Sequence, residues 1–185
     1  MAENGDFERR KRQFELDMRL AERAHDEMKE YGDGVNKAAV ESGHKALQAI
    51  MVINGGAGIA LLAFIGSIAS KDGINAVAGL ASTLHWFAYG VGLTALAMGV
   101  AYLVNYCYAN SASEMRRTWE HPYVSDTASS ISWRWVGIFF HAVTLGAALL
   151  ALWFFVFGML QVQDEVATMR VKVSSSAAVP AATKK

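Results

Sequence analysis

Four polar side chains interrupt apolar stretches of this chain: Asn54, Asn105, His141 and Thr144. An amide donates twice and accepts through its carbonyl, an imidazole can hydrogen-bond or ligate iron, and a hydroxyl does both weakly. In an apolar setting such groups can bond helices together, line a polar conduit or hold a cofactor. His85 and His141 invite a haem reading, but in a three-span topology His85 falls at the outer interface and His141 in the inner half of the bilayer, which opposes joint axial ligation within one chain. Glu120-His121-Pro122-Tyr123 has no metal-ligand spacing. The run Gly55-Gly56-Ala57-Gly58 lacks the following Lys and Ser/Thr of a phosphate loop. The single cysteine, Cys107, excludes an intrachain disulfide and reads as a packing residue. No nucleophile, base and orienting group can be grouped. The expectation is therefore a chain without catalytic chemistry, cofactor or metal, whose polar residues serve helix packing.

The elements that must position these residues are three apolar stretches at 46–70, 84–108 and 135–160, none containing Asp, Glu, Lys or Arg. A 25-residue helix is about 37 Å long at 1.5 Å per residue, enough to cross a hydrocarbon core roughly 30 Å thick with some tilt. Trp86, Tyr89, Tyr102, Tyr106, Tyr108, Trp133 and Trp135 stand near stretch ends, where amphipathic rings mark membrane interfaces. The absence of ionisable acids and bases inside the spans argues against ion-coupled transport. Counted from the span ends, Asn54 lies about 12 Å deep, His141 about 9 Å and Thr144 about 13 Å, with Asn105 a few residues from its own end. All four thus share one half of the bilayer and are expected to hydrogen-bond between helices. Gly55, Gly56, Gly58, Gly92, Gly99 and Gly146 supply small faces for close approach.

The first 45 residues hold nine of the 17 bases and eleven of the 17 acids. Phe7, Phe14, Ala21 and Met28 recur at seven, with Lys11, Met18 and His25 between them, which is a coiled-coil seam with polar interruptions. Glu8 with Arg12 and Glu15 with Arg19 support a helix at i,i+4. Gly32-Asp33-Gly34 is expected to break it before a second helix leads into the membrane. Residues 161–185 read as a polar, disordered tail. No basic stripe with interleaved aromatics appears, so nucleic acid is not an expected partner.

Lys and Arg outside the spans number twelve on the side of the N-terminal arm and the second loop, and five on the other. The excess places the N-terminus and the 110–133 loop in the cytoplasm and the C-terminus outside. The core of the first span, Ile53-Asn54-Gly55-Gly56-Ala57-Gly58-Ile59-Ala60-Leu61-Leu62-Ala63-Phe64, resembles a segment of small bacterial multi-span inner-membrane proteins of unassigned function. That resemblance implies a bacterial inner membrane and carries no activity. The expectation is an all-α integral membrane protein: a charged cytoplasmic, coiled-coil-like helical arm (1–45), a three-span domain (46–160) and a tail. It would associate with itself or with a membrane-protein partner. An oligomeric pore or holin-like effector is the alternative, and a small-molecule or haem binder a weaker one.

Overall fold

The computed structural model describes residues 2–72, 77–119 and 123–177, with the side chains of residues 2–4, 28, 31, 35, 70–72 and 171–177 outside the description. Three helices carry almost all of it: α1 (Ala2–Asp72), α2 (Ala78–Ser113) and α3 (Ala128–Ala177). Between α2 and α3 lies a two-stranded antiparallel hairpin, β1 (Arg116–Arg117) with β2 (Val124–Ser125), in the register Arg116↔Ser125 and Arg117↔Val124. All three helices are long and apolar enough to cross a membrane.

Helix ends depart from the apolar boundaries at several points. Gly32 and Gly34 do not break α1, which is continuous past them. Each glycine costs a helix about 1 kcal/mol relative to Ala but neither clashes nor removes a hydrogen bond, and strong helix formers flank the pair. The polar segment after residue 160 is helical to Ala177 and not disordered from Gln161 onward; residues 178–185 lie outside the described ones. The second helix begins at Ala78, before the apolar stretch that opens at 84, and residues 73–76 are not described. The expected 110–133 loop shrinks to the hairpin and its flanks. Hydropathy marks where an apolar run stops, whereas a helix continues as long as its backbone bonds and a packed face sustain it.

The chain forms two compact units, Met1–His44 with Val100–Ala142, and Lys45–Gly99 with Val143–Lys185. The second centres on Leu61, Leu80 and Phe87, against which Ala57, Ile65, Ile68, Leu84, Phe155, Val162, Val166 and Met169 pack. Val162, Val166 and Met169 follow the four-three spacing of one helical face, which explains why α3 persists beyond its apolar run. The same stretch brings Glu165 to the N-terminal end of α2, where a Cβ on Gly79 would meet its carboxylate. The first turn of α2 has no acid of its own. Glu165 therefore complements the helix dipole from a neighbouring element, an effect of about 0.3–1 kcal/mol.

In the first unit the start of α3 is set by a reciprocal cap. Ser130 N–H donates to Thr127 Oγ1 at 3.1 Å, and Thr127 N–H donates to Ser130 Oγ at 3.2 Å. This is the geometry of a capping box with serine in place of the usual Glu or Gln. Ser111 Oγ donates to Ser130 O at 2.7 Å and binds the end of α2 to that cap. A further tie is steric: a Cβ on Gly137 would stand 3.2–3.3 Å from Tyr108 and Cys107, so the absence of a side chain lets these helices approach closely.

Candidate functional site

Two places gather the residues singled out by type and spacing. The first surrounds Asn54, which is fully buried. Its Nδ2 donates to Ile50 O, one turn back on α1, at 3.0 Å, and to Ala151 O on α3 at 3.4 Å. Both amide hydrogens are thus satisfied by backbone carbonyls. Among the described residues, Asn54 Oδ1 is the one buried side-chain atom without a hydrogen-bond partner. It lies against Gly90 of α2, where a Cβ would overlap the amide group. That proximity suits a Cα–H···O contact, of the kind worth ~0.5–1 kcal/mol. One turn further, Thr94 Oγ1 donates to Gly90 O at 2.7 Å, so this fully buried hydroxyl is satisfied within its own helix.

Below this junction lies an aromatic layer. Phe87 is 2% exposed; its Cβ would be 3.7 Å from a Cβ on Gly58, and its ring would come within 2.9 Å of one on Gly158. Phe87 also meets Phe155 edge-on at 6.1 Å. Nearby, Trp86 Nε1 donates to Gln161 Oε1 at 3.1 Å, and its ring contacts Phe154, Phe157 and Trp153. His85 lies tilted by 42° against Trp86 at 4.6 Å and meets Tyr89 edge-on at 5.6 Å, so its described neighbours here are rings.

The four polar residues grouped by depth do not share one hydrogen-bonded centre at Asn54. Thr144 stands seven residues before Ala151 on α3, about 10 Å along the axis at helical rise. It is half-buried and has an interaction of its own. His141, three residues further back, is exposed, and Asn105 is half-buried in the first unit.

The glycines divide in the same way. Gly55 has Val91 at 3.9 Å and Gly58 has Phe87 at 3.7 Å, while Gly56, Gly92, Gly99 and Gly146 face open space. The glycines into which neighbours press most closely are Gly79, Gly90, Gly137 and Gly158, which small-residue spacing did not single out. Their sequence signal is weak: each acquires meaning only from a bulky or polar group on another helix.

The second place is on the N-terminal part of α1. His25 Nε2 donates to Tyr123 O at 2.8 Å, and the same carbonyl accepts Thr118 N–H at 2.9 Å. The imidazole also meets Trp119 edge-on at 5.7 Å and Tyr123 at 6.5 Å. The hairpin is thereby clasped to α1 at the level of the seam position His25, and Ala21, one turn earlier, is fully buried. Phe7, Phe14 and Met18 on that seam are 61%, 65% and 38% exposed. The Met28 side chain and residues 120–122, with His121, lie outside the described ones. Among the described residues, no group of three or more His, Cys, Asp or Glu could hold a metal ion.

Comparisons with protein-family models, with curated proteins and with solved structures yield no match.

Proposed function

We propose that this chain is a membrane-embedded association protein of the bacterial inner membrane, assembling with itself or serving as an accessory subunit of a membrane complex. The observation that carries the reading is the bare strip of Phe7, Phe14 and Met18 on a charged helical arm, where solvent-facing aromatics have no role in the folded chain. The open faces at Gly56, Gly92, Gly99 and Gly146 agree with it, since small residues admit a neighbouring helix without a side-chain obstacle. Most residues in the apolar stretches of the three helices are unburied, which suits contact with lipid and with other spans.

The N-terminal arm and the loop between α2 and α3 are assigned to the cytoplasm by their excess of Lys and Arg. The His25–Tyr123 hydrogen bond agrees with arm and loop lying on one side, and the choice of the cytoplasmic side rests on the Lys and Arg count. Reporter fusions at Ala2 and Lys185 test the topology, and a cytoplasmic C-terminus overturns it. Association is tested by light scattering of the purified protein in mild detergent, together with affinity capture from native membranes. An oligomer or a stoichiometric membrane partner is expected; a monomer without partner in both experiments refutes the reading.

A further inference from the structure

The seam on α1 changes character along its length. At Ala21 and His25 the chain's own hairpin stands against it, and before that level the positions Phe7, Lys11, Phe14 and Met18 have no cover. We infer that this uncovered strip is paired with the same strip of a second copy, parallel and in register, as a short two-stranded coiled coil that ends where the hairpin begins. The inference rests on the reading of the protein as a membrane assembly and names the partner of one of its faces.

Three observations select a second copy in this orientation. Copies inserted in one membrane share a topology, so arms leaving the same side run in the same direction. Anchoring also raises their effective concentration, which a strip shorter than two heptads needs. Flanking charge is the second. With Lys11 and Met18 at a and Phe7 and Phe14 at d, Arg10 occupies a g position and Glu15 the e position five residues on. In a parallel, in-register pair, Arg10 of each copy faces Glu15 of the other, giving two attractive pairs by symmetry. An antiparallel pair would bring the e positions Glu8 and Glu15 together, acid against acid, while setting the g positions Arg10 and Asp17 against each other, so the shared topology of the copies and not charge alone fixes the direction.

The third observation is where the pattern stops. The next parallel g–e pair joins Asp17 to Glu22 and is repulsive. That pair flanks Ala21, where the seam is already buried within the chain. Charge is thus attractive at Arg10–Glu15, the level of Lys11 and Phe14, and repulsive on either side of it, at Glu3–Glu8 and Asp17–Glu22. Lys11 at an a position fits the same geometry: a polar a residue lowers stability and fixes register, and its long stem can pack while the ammonium remains in water.

The test is disulfide cross-linking of the full chain in membranes, in a Cys107→Ala background. Single cysteines are introduced at the seam, Phe14→Cys or Met18→Cys, and on the opposite face, Leu16→Cys. Parallel in-register pairing brings equivalent seam positions of two copies within disulfide reach. Cross-linked dimer is expected at positions 14 and 18 and its loss at 16. Arg10→Glu should reduce the position-14 cross-link several-fold, and Arg10→Glu with Glu15→Arg should restore it. If wild-type protein is oligomeric by light scattering but cross-links equally at all three positions or at none, the coiled-coil inference fails and the assembly reading stands. If it is monomeric and uncross-linked, both fail. A position-14 cross-link indifferent to Arg10→Glu overturns the assigned register.

Discussion

Replacing Gly90 with alanine tests the Asn54 junction directly. The added methyl would overlap Oδ1, Cγ and Nδ2 of Asn54, so the amide must leave its seat between Ile50 O and Ala151 O. Overpacking of this kind costs about 1–3 kcal/mol, and each displaced hydrogen bond about 1 kcal/mol. Alanine's better helix propensity returns about 1 kcal/mol. A net destabilisation of about 2–4 kcal/mol is expected, which in a chain of this size lowers Tm by about 4–16 °C. Gly92→Ala is the matched control, since open space surrounds that position and only the propensity gain applies. Thermal unfolding of the two variants in detergent should therefore move in opposite directions. Asn54→Ala in the Gly90→Ala background removes the clash, and the double-mutant cycle should show a coupling of about 0.5–3 kcal/mol. Equal stability of Gly90→Ala and Gly92→Ala, or additive effects in the cycle, would refute the junction.

Phe87→Ala should destabilise the protein by about 3–5 kcal/mol, because the ring fills the layer between Gly58 and Gly158 and leaves a cavity when removed; the same unfolding assay reads it. Thr127→Ala should cost about 0.5–2 kcal/mol through loss of the cap on α3, with faster amide exchange confined to the first turn after Ala128. Gly32→Ala with Gly34→Ala should raise helicity and stability by about 1 kcal/mol per site, since both positions are helical and unobstructed. A drop in circular-dichroism helicity in that variant would instead indicate that the pair breaks α1 in solution.

The three apolar stretches were legible because hydropathy integrates over about twenty residues, and a heptad seam is legible because its period repeats. Neither signal specifies which residues of different helices stand level. Asn54 could be recognised as a polar group that needs partners, but not that backbone carbonyls would supply them. Gly90 is one of many glycines until an amide from α1 is set against it. The continuation of α3 past residue 160 was present in the spacing of Val162, Val166 and Met169, yet the polar residues between them dominate an averaged hydropathy. The clasp at His25 has no local signature either, because its partner is a carbonyl about a hundred residues away in a two-residue-strand hairpin.

The state of Asn54 also bears on whether it could line a polar conduit. A polar conduit requires side chains that face water, and a buried group left unsatisfied in hydrocarbon costs several kcal/mol. Asn54 faces no such space: its donors end on carbonyls of its own chain and its acceptor is closed off by Gly90. Oligomerisation could not expose it without first breaking the packing within each copy. A pore built from several chains would have to be lined by other residues. Asn54 is better understood as a device that sets the spacing of α1, α2 and α3 at one level, through carbonyls of α1 and α3 and the side-chain-free face of Gly90 on α2.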